Sequence, residues 1–313
     1  MITILKGDEA WEAIDRATSR GGQIDATVSA KVAGIIELVR REGDGAIKRL
    51  AVKFGEPEPR SLLISKEEID AACGRVSAEG RRVIERAAEN VRAFASAIVD
   101  SIRPVRLERE GFAVGLDYSP VASCGCYVPG GRYPLPSSAI MTAVTAAAAG
   151  VSEIAIASPR MRDEVVLAGT LAGAKRFYNV GGAQAVAAMA LGTDSVWPVD
   201  MIVGPGNAYV TEAKRQLMGV VGIDMLAGPS EVVIVADESA DPARAALEIL
   251  AQAEHDPDAR AWLLTSSDEL ASEVAREIEG MIGGVGAPPF VKENLSEQRI
   301  LVFEEDAMCV DAA

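Results

Sequence analysis

One histidine occurs in the 313 residues, His255, and it stands three residues after Gln252. On a helix that spacing places an imidazole and an amide on one face. Glu248, four residues before Gln252, lies on the same side. Both groups can meet a metal, but zinc normally takes four N, S or O ligands. Two donors on one helix are too few. The plainer reading of His255 is a partner for the helix dipole or a hydrogen-bonded packing residue.

Three glycine turns are the second feature with chemical potential. Tyr127-Val-Pro-Gly-Gly131 leads into Pro134-Leu-Pro-Ser-Ser138 and an apolar helix. Asn179-Val-Gly-Gly-Ala-Gln184 and Val203-Gly-Pro-Gly-Asn207 each join a strand-like run to a helical one. Glycine after a strand lets the backbone turn tightly and approach a ligand. The next helix N-terminus offers free N–H groups and positive dipole to a phosphate. None of the turns is a Gly-x-Gly-x-x-Gly dinucleotide fingerprint. Each alone reads equally well as a tight turn without a ligand. Together, with Ser138, Gln184 and Asn207 beside them, they predict one shared ligand edge.

The elements that must position these residues follow from periodicity. Up to about Pro104 the chain reads as helices. Val28, Val32, Ile35, Ile36 and Val39 recur at helical spacing, and a second long helix covers about 77–98. Ser65 followed by Glu68 is a capping-box signature. From Val121 short β-branched runs alternate with helical segments. Strands are predicted at 154–156, 177–180, 201–203, 231–235, 261–264 and 299–303, with helices between them. Asp241 and Pro242 cap and open the helix that carries Gln252 and His255. Such alternation implies βαβ units and parallel sheets. The stretch 283–289 reads as a flexible loop, and 304–313 begins like a helix too short to be stable alone.

Composition narrows the function classes. The chain carries a net charge of −15, which argues against a nucleic-acid partner because phosphate binding needs clustered Lys and Arg. No run of about 18 uninterrupted apolar residues predicts a membrane span, and the N-terminus has no signal-peptide pattern. The four cysteines, Cys73, Cys124, Cys126 and Cys309, lack zinc-finger spacing and read as reduced thiols of a cytoplasmic protein. Cys124 and Cys126 beside Tyr127 read as small packing residues rather than a nucleophile pair, since no motif brings a base to them.

In combination these stretches resemble the histidinol dehydrogenase family. The resemblance is carried by Gly125-Cys-Tyr-Val-Pro-Gly-Gly131, Gly181-Gly-Ala-Gln-Ala-Val186 and Val203-Gly-Pro-Gly-Asn-Ala-Tyr-Val-Thr-Glu-Ala-Lys-Arg-Gln216. It continues through Gly222-Ile-Asp-Met-Leu-Ala-Gly-Pro-Ser-Glu231 and Gln252-Ala-Glu-His-Asp-Pro257. It implies an α/β fold of two incomplete Rossmann-like domains with parallel sheets, preceded by an N-terminal helical segment. Residues 1–120 plus 232–313 are expected in one domain and 121–231 in the other. It also implies a homodimer and a zinc- and NAD-dependent oxidation of L-histidinol through an aldehyde to L-histidine. Tyr127, Gln184 and Asn207 match NAD-contacting positions of the family, and Ser230 matches a substrate contact. Gln252 and His255 match two zinc ligands that also face the substrate.

The resemblance places the family's Glu-His proton-transfer pair, its other zinc ligands and a C-terminal tail after the position of Ala313. The expectation is therefore an incomplete zinc site and no turnover by residues 1–313 alone. Two other readings stand beside it. Related dehydrogenases act on sulfonated diols, and Gly131-Arg-Tyr133 and Lys214-Arg-Gln-Leu217 leave room for that substrate class. A non-catalytic NAD-binding or assembly protein would keep the nucleotide edge and dimer surface only.

Overall fold

The computed structural model describes residues 2–19, 26–56, 58–130, 134–226, 230–255, 259–284 and 289–312. The chain divides into two compact units, one of Met1–Gln23 with Gly228–Ala313 and one of Ile24–Ala227.

The chain opens in the first unit with β1 (Thr3–Lys6) and α1 (Asp8–Ser19). It then builds the whole second unit. Three helices come first. Of these, α2 (Ala26–Lys53) is bent where Gly43 leaves helical geometry. Next is α3 (Lys66–Arg75), opened by the full Ser65–Glu68 capping box, and then α4 (Ala78–Ser101). A hairpin of β2 (Val105–Arg109) and β3 (Phe112–Leu116) follows. The remaining elements alternate. After β4 (Ser123–Tyr127), a continuous helix runs through α5 (Pro136–Ala139), a π-helical turn (Ile140–Val144) and α6 (Thr145–Ala148). Then come β5 (Glu153–Ala157), α7 (Asp163–Leu171), β6 (Arg176–Tyr178), α8 (Gly182–Leu191), β7 (Met201–Val203), α9 (Ala208–Leu217) and the short β8 (Gly222–Ile223).

These strands form one parallel sheet in the order β6-β5-β4-β7-β8. The chain moves outward from β4 to β6, then returns to place β7 on the other side of β4. That reversal is a topological switch point, the place where open α/β sheets bind ligands at the carboxyl ends of the strands. Side chains alternate between two cores. Cys124, Cys126, Ile154, Ile156 and Phe177 face one, packed with α3, α4, α7 and the π turn. Tyr127, Ala155, Ala157 and Tyr178 face the other, packed with α2, α8 and α9.

The first unit resumes with β9 (Glu231–Val235), α10 (Pro242–His255), β10 (Arg260–Thr265), α11 (Asp268–Gly284), α12 (Pro289–Asn294), β11 (Arg299–Val302) and α13 (Asp306–Ala312). Its sheet is also parallel, in the order β1-β11-β10-β9. Core residues from α10, α11 and α12 cover one face. On the other, α1 and α13 pack on Leu264, Leu301 and Phe303, with Trp11 meeting Phe303 edge-on at 5.0 Å. The short last helix is held by that packing, with Cys309 buried beneath it.

The parallel α/β architecture agrees with the sequence reading, and the strands fall within a residue or two of their predicted places. The grouping of the N-terminal part differs. Residues 26–116 belong with 123–223, not with 231–312. Periodicity shows that a helix has an apolar face, but not which sheet that face covers. Here α2 covers one side of the five-stranded sheet while α3 and α4 cover the other. The predicted loop 283–289 falls mostly outside the described residues. The hairpin β2–β3 and strands β1, β4 and β8 are additions to the predicted strands.

Candidate functional site

At the carboxyl edge of the five-stranded sheet, three glycine turns come together, as the sequence predicted. Tyr127 ends β4 and is only 4% exposed. Its hydroxyl accepts the N–H of Gly182 at 3.0 Å. Burial pushes its pKa up to about 12, partly offset by that hydrogen bond, so the phenol is neutral at physiological pH. Gly182 opens α8 with φ +67°, and a Cβ there would stand 2.8 Å from the Gln184 Oε1. Gln184, 1% exposed in the first turn of α8, thus curls over the helix start. Its Oε1 is buried without a hydrogen-bond partner. An orphaned buried acceptor costs about 1–3 kcal/mol unless a ligand or water satisfies it.

The turn after β7 is clamped from both sides. Gly204 donates its N–H to Asp224 Oδ2 at 2.8 Å, and its carbonyl accepts from Lys214 Nζ at 3.1 Å. Lys214, 3% exposed, also pairs with Asp224. Gly204 has φ +119°, and a Cβ there would stand 2.2 Å from the Tyr127 carbonyl oxygen. Only glycine fits where these two strand ends meet. Three residues on, Asn207 caps α9 by accepting the N–H groups of Tyr209 and Val210. The position of α9 is fixed further by Gln216, which donates to the Ser29 carbonyl of α2 at 2.9 Å, while the Glu212 carboxylate takes both Arg215 hydrogen bonds within α9 at 2.7 Å. Those bonds, with Gln216 and Ser29, hold its pKa down to about 2. Lys214 and Asp224 lie within the quoted family stretches, but spacing alone gave them no role. Their partnership is a tertiary contact to a backbone carbonyl.

Beside this edge is a cavity of about 230 Å³ whose lining includes Phe54, Glu56, Pro129, Pro159, Arg160 and Arg162. A neighbouring cavity of about 320 Å³ shares Glu56, Arg160 and Arg162. Arg160 follows β5 with φ +49°, the one positive φ at a non-glycine among the described residues, and donates to the Gly55 carbonyl at 2.9 Å. Such strain concentrates at ligand sites. Burial raises the pKa of Glu56, with Arg160 opposing the shift.

Cys124 and Cys126 are buried packing residues, as expected. Its hydrogen bond to the Cys124 sulfur, together with burial, holds the Cys126 thiol well above its ordinary range. Ser138 lies in α5, after the first glycine turn.

The remaining predicted residues belong to the other unit. Ser230 is exposed just before β9, and its carbonyl accepts the N–H of Arg260. A helix between parallel strands runs back against them, so α10 ends at the amino edge of its sheet. Gln252 and His255 are therefore on the same edge as Ser230. Among the described residues the buried Gln252 Nε2 has no hydrogen-bond partner. His255 is the last residue of α10. Around this helix end Asn294 donates to the Ala253 carbonyl and Gln298 donates to the Ala259 carbonyl, each at 3.0 Å. Gln298 also accepts the N–H of Ala261. Among the described residues no group of three or more His, Cys, Asp or Glu is placed to hold a metal ion.

Fold and site define an open α/β protein with a ligand edge at a sheet's topological switch point. The histidinol dehydrogenase family model matches residues 18–313. A histidinol dehydrogenase of Methanosarcina mazei is 39% identical over 303 residues, covering 95% of this chain and 70% of that one. One of Cereibacter sphaeroides is 44% identical over 262 residues, covering 82% and 60%. The crystal structure of histidinol dehydrogenase from Elizabethkingia anophelis superposes with a TM-score of 0.89 at 29% identity, covering 99% and 73%. The chain belongs to the histidinol dehydrogenase family, an oxidoreductase family of histidine biosynthesis. It spans 60 to 70% of the length of those two curated relatives.

Proposed function

We propose that this chain contributes the nucleotide edge of an NAD-dependent dehydrogenase that oxidises L-histidinol through L-histidinal to L-histidine, acting as a cytoplasmic homodimer. The observation that carries the reading is the Gln184 Oε1, buried and unpartnered in the first turn of a helix at the switch-point edge. When bound, NAD supplies the hydride acceptor for both oxidations.

The chain's own residues hold and orient. The Gln184 acceptor suits a hydroxyl or amide donor of the nucleotide. Tyr127 fixes the start of α8 through Gly182 and stays protonated. Asn207 uses its Oδ1 as the cap of α9, which leaves its amide N–H groups for a ligand oxygen. The cavity of about 230 Å³ beside this edge combines Phe54 and three prolines with Arg160 and Arg162, a lining suited to a planar heterocycle carrying phosphate.

Ser230, Gln252 and His255 are the proposed substrate-facing residues, and Gln252 and His255 the proposed zinc ligands. The orphaned Gln252 amide supports a ligand there. The described residues do not complete a four-ligand zinc site. A sulfonated-diol substrate is not favoured, since the relatives matched bear the name histidinol dehydrogenase. No described helix is long and apolar enough to cross a membrane.

Calorimetric titration with NAD tests the reading. Saturable binding that protects the amides of 181–184 and 204–207 from hydrogen exchange is the expected result. Absence of saturable binding at millimolar NAD overturns it. Calorimetric titration of the NAD-loaded chain with L-histidinol and with a sulfonated diol separates the two substrate classes.

A further inference from the structure

We propose that the cavity of about 320 Å³ beside the nucleotide edge is a subsite for a phosphate monoester, held by Arg160, Arg162 and Asn179, which lets this chain take a 2′-phosphorylated dinucleotide as well as NAD. The inference rests on the nucleotide-edge reading for its location.

The subsite is built on a fourth turn at the same edge, the one after β5. It contains no glycine, so a search for glycine turns passes over it. Ser158 is buried and donates its N–H to the Tyr178 carbonyl at 3.1 Å. Pro159 packs between two of the glycine turns. A Cβ at Gly130 would stand 2.3 Å from its ring, and one at Gly181 would stand 2.5 Å from it. Asn179 Oδ1 accepts the N–H of Met161 at 3.1 Å. These contacts fix the backbone on both sides of Arg160 and set Arg160 and Arg162 in the cavity lining.

Both guanidinium groups have donors to spare. The φ of +49° at Arg160 is a conformation that glycine takes without strain and arginine rarely adopts. The backbone would be better served by glycine, so the side chain is what the position retains. It donates to the Gly55 carbonyl at 2.9 Å and makes no ion pair among the described residues. Arg162 has Asp163 beside it, but Arg75 takes that carboxylate through hydrogen bonds of 2.6 and 2.8 Å. Among the described residues Arg162 has no hydrogen bond or ion pair. Asn179 uses its Oδ1 on Met161 and keeps its amide N–H groups for the cavity.

One carboxylate faces them. Gly55 has φ +78° and donates to the Val52 carbonyl, while Glu56 donates its N–H to the Ala51 carbonyl at 2.9 Å. That is a Schellman end to α2, and it delivers Glu56 to the cavity. Two guanidiniums against one carboxylate leave the lining net positive in a chain of net charge −15. A phosphate monoester suits it, because a dianion with three acceptor oxygens can engage both planar forks and an amide. The 230 Å³ cavity shares Glu56, Arg160 and Arg162 with this one, so a nucleoside stacked there has its ribose at their junction. An arginine beside that sugar is the device by which Rossmann-type sites accept a 2′-phosphate. The diphosphate has the helix starts of α8 and α9 instead. A free phosphate ion offers the same chemistry as the 2′-phosphate, and the test separates the two.

Calorimetric titration with NAD, NADP and inorganic phosphate tests this on wild type, Arg162→Gln and Glu56→Gln, with circular dichroism to check folding. NADP is expected to bind wild type at least as tightly as NAD. Arg162→Gln should weaken NADP about tenfold and leave NAD nearly unchanged. Glu56→Gln should tighten NADP about threefold, because a like charge has left the subsite. Phosphate should compete with NADP and not with NAD. Phosphate binding lost in Arg162→Gln, with NADP rejected, supports the subsite and overturns its assignment to the dinucleotide. NAD binding with neither NADP nor phosphate bound overturns the inference and leaves the nucleotide edge standing. Equal weakening of NAD and NADP by Arg162→Gln also overturns it, since the arginine would then hold the diphosphate. If no nucleotide binds, the nucleotide edge falls, and phosphate binding alone decides the subsite. If a variant does not fold, competition between phosphate and NADP on wild type decides.

Discussion

The two sheet edges that carry the proposed site residues are held in opposite ways. At the carboxyl edge of the five-stranded sheet, the backbone itself is the shaped object. Gly204 is gripped at both its N–H and its carbonyl by the Lys214–Asp224 pair, whose lysine is buried, and its missing Cβ lets β7 close on Tyr127. At the amino edge of the four-stranded sheet, the candidate side chains stand at a helix end. The grip there comes from neutral amides, Asn294 and Gln298, bound to carbonyls on either side of 254–258. An edge that must approach a ligand by its backbone needs fixed turns. An edge that offers side chains needs only its flanks fixed.

Removing a clamp from each edge turns that contrast into numbers. Lys214→Met should have the largest effect. It strips the Asp224 carboxylate and the Gly204 carbonyl of their buried partner. Breaking one side of a buried ion pair costs about 3–5 kcal/mol, and the solvent access of Asp224 puts the expected loss at the low end, about 3 kcal/mol. Urea unfolding should show that loss, and adding Asp224→Leu should recover part of it. Full additivity of the two losses would mean that the pair does not act as a unit. At the other edge, Gln298→Leu removes bonds to the Ala259 carbonyl and the Ala261 N–H but no charge. The expected cost is smaller, about 2–3 kcal/mol. Hydrogen exchange should rise near 259–261 while 204–207 stays protected. Loosening of both edges together would erase the distinction.

These clamps mark where the sequence stopped being informative. Local patterns placed the strands, Ser65–Glu68 placed a helix start, and the glycine turns pointed to one edge. Each of those signals lies within a few residues of chain. What escaped was long-range. The grouping of α2, α3 and α4 with the five-stranded sheet depends on which core their apolar faces enter. Lys214 reads as an ordinary helix lysine until Asp224 and the Gly204 carbonyl are seen around it. The hairpin escaped for another reason. Its alternation of Val105, Leu107, Val114 and Leu116 is a strand signal, but no glycine-flanked βαβ pattern surrounds it. Gln184, Asn207, Gln252 and His255 stood out through resemblance more than through physics, since an amide in a helix has many ordinary roles.

Gln184 gives the smallest expected effect and the sharpest test of what the carboxyl edge is for. Its Oε1 has no partner while the side chain is 1% exposed. A purely structural glutamine would not be kept in that state, because an apolar residue of similar volume avoids the desolvation cost. Gln184→Leu should therefore stabilise the chain by about 1 kcal/mol, seen as a raised urea midpoint at unchanged slope. The same substitution should weaken NAD binding, since the acceptor that a nucleotide donor would satisfy is gone. Opposite signs on stability and binding are the signature of a residue retained for a ligand. A variant that loses stability and leaves binding intact would show that Gln184 serves the fold. The carboxyl edge would then be rigid for packing reasons alone, and the contrast with the amino edge would lose its functional meaning.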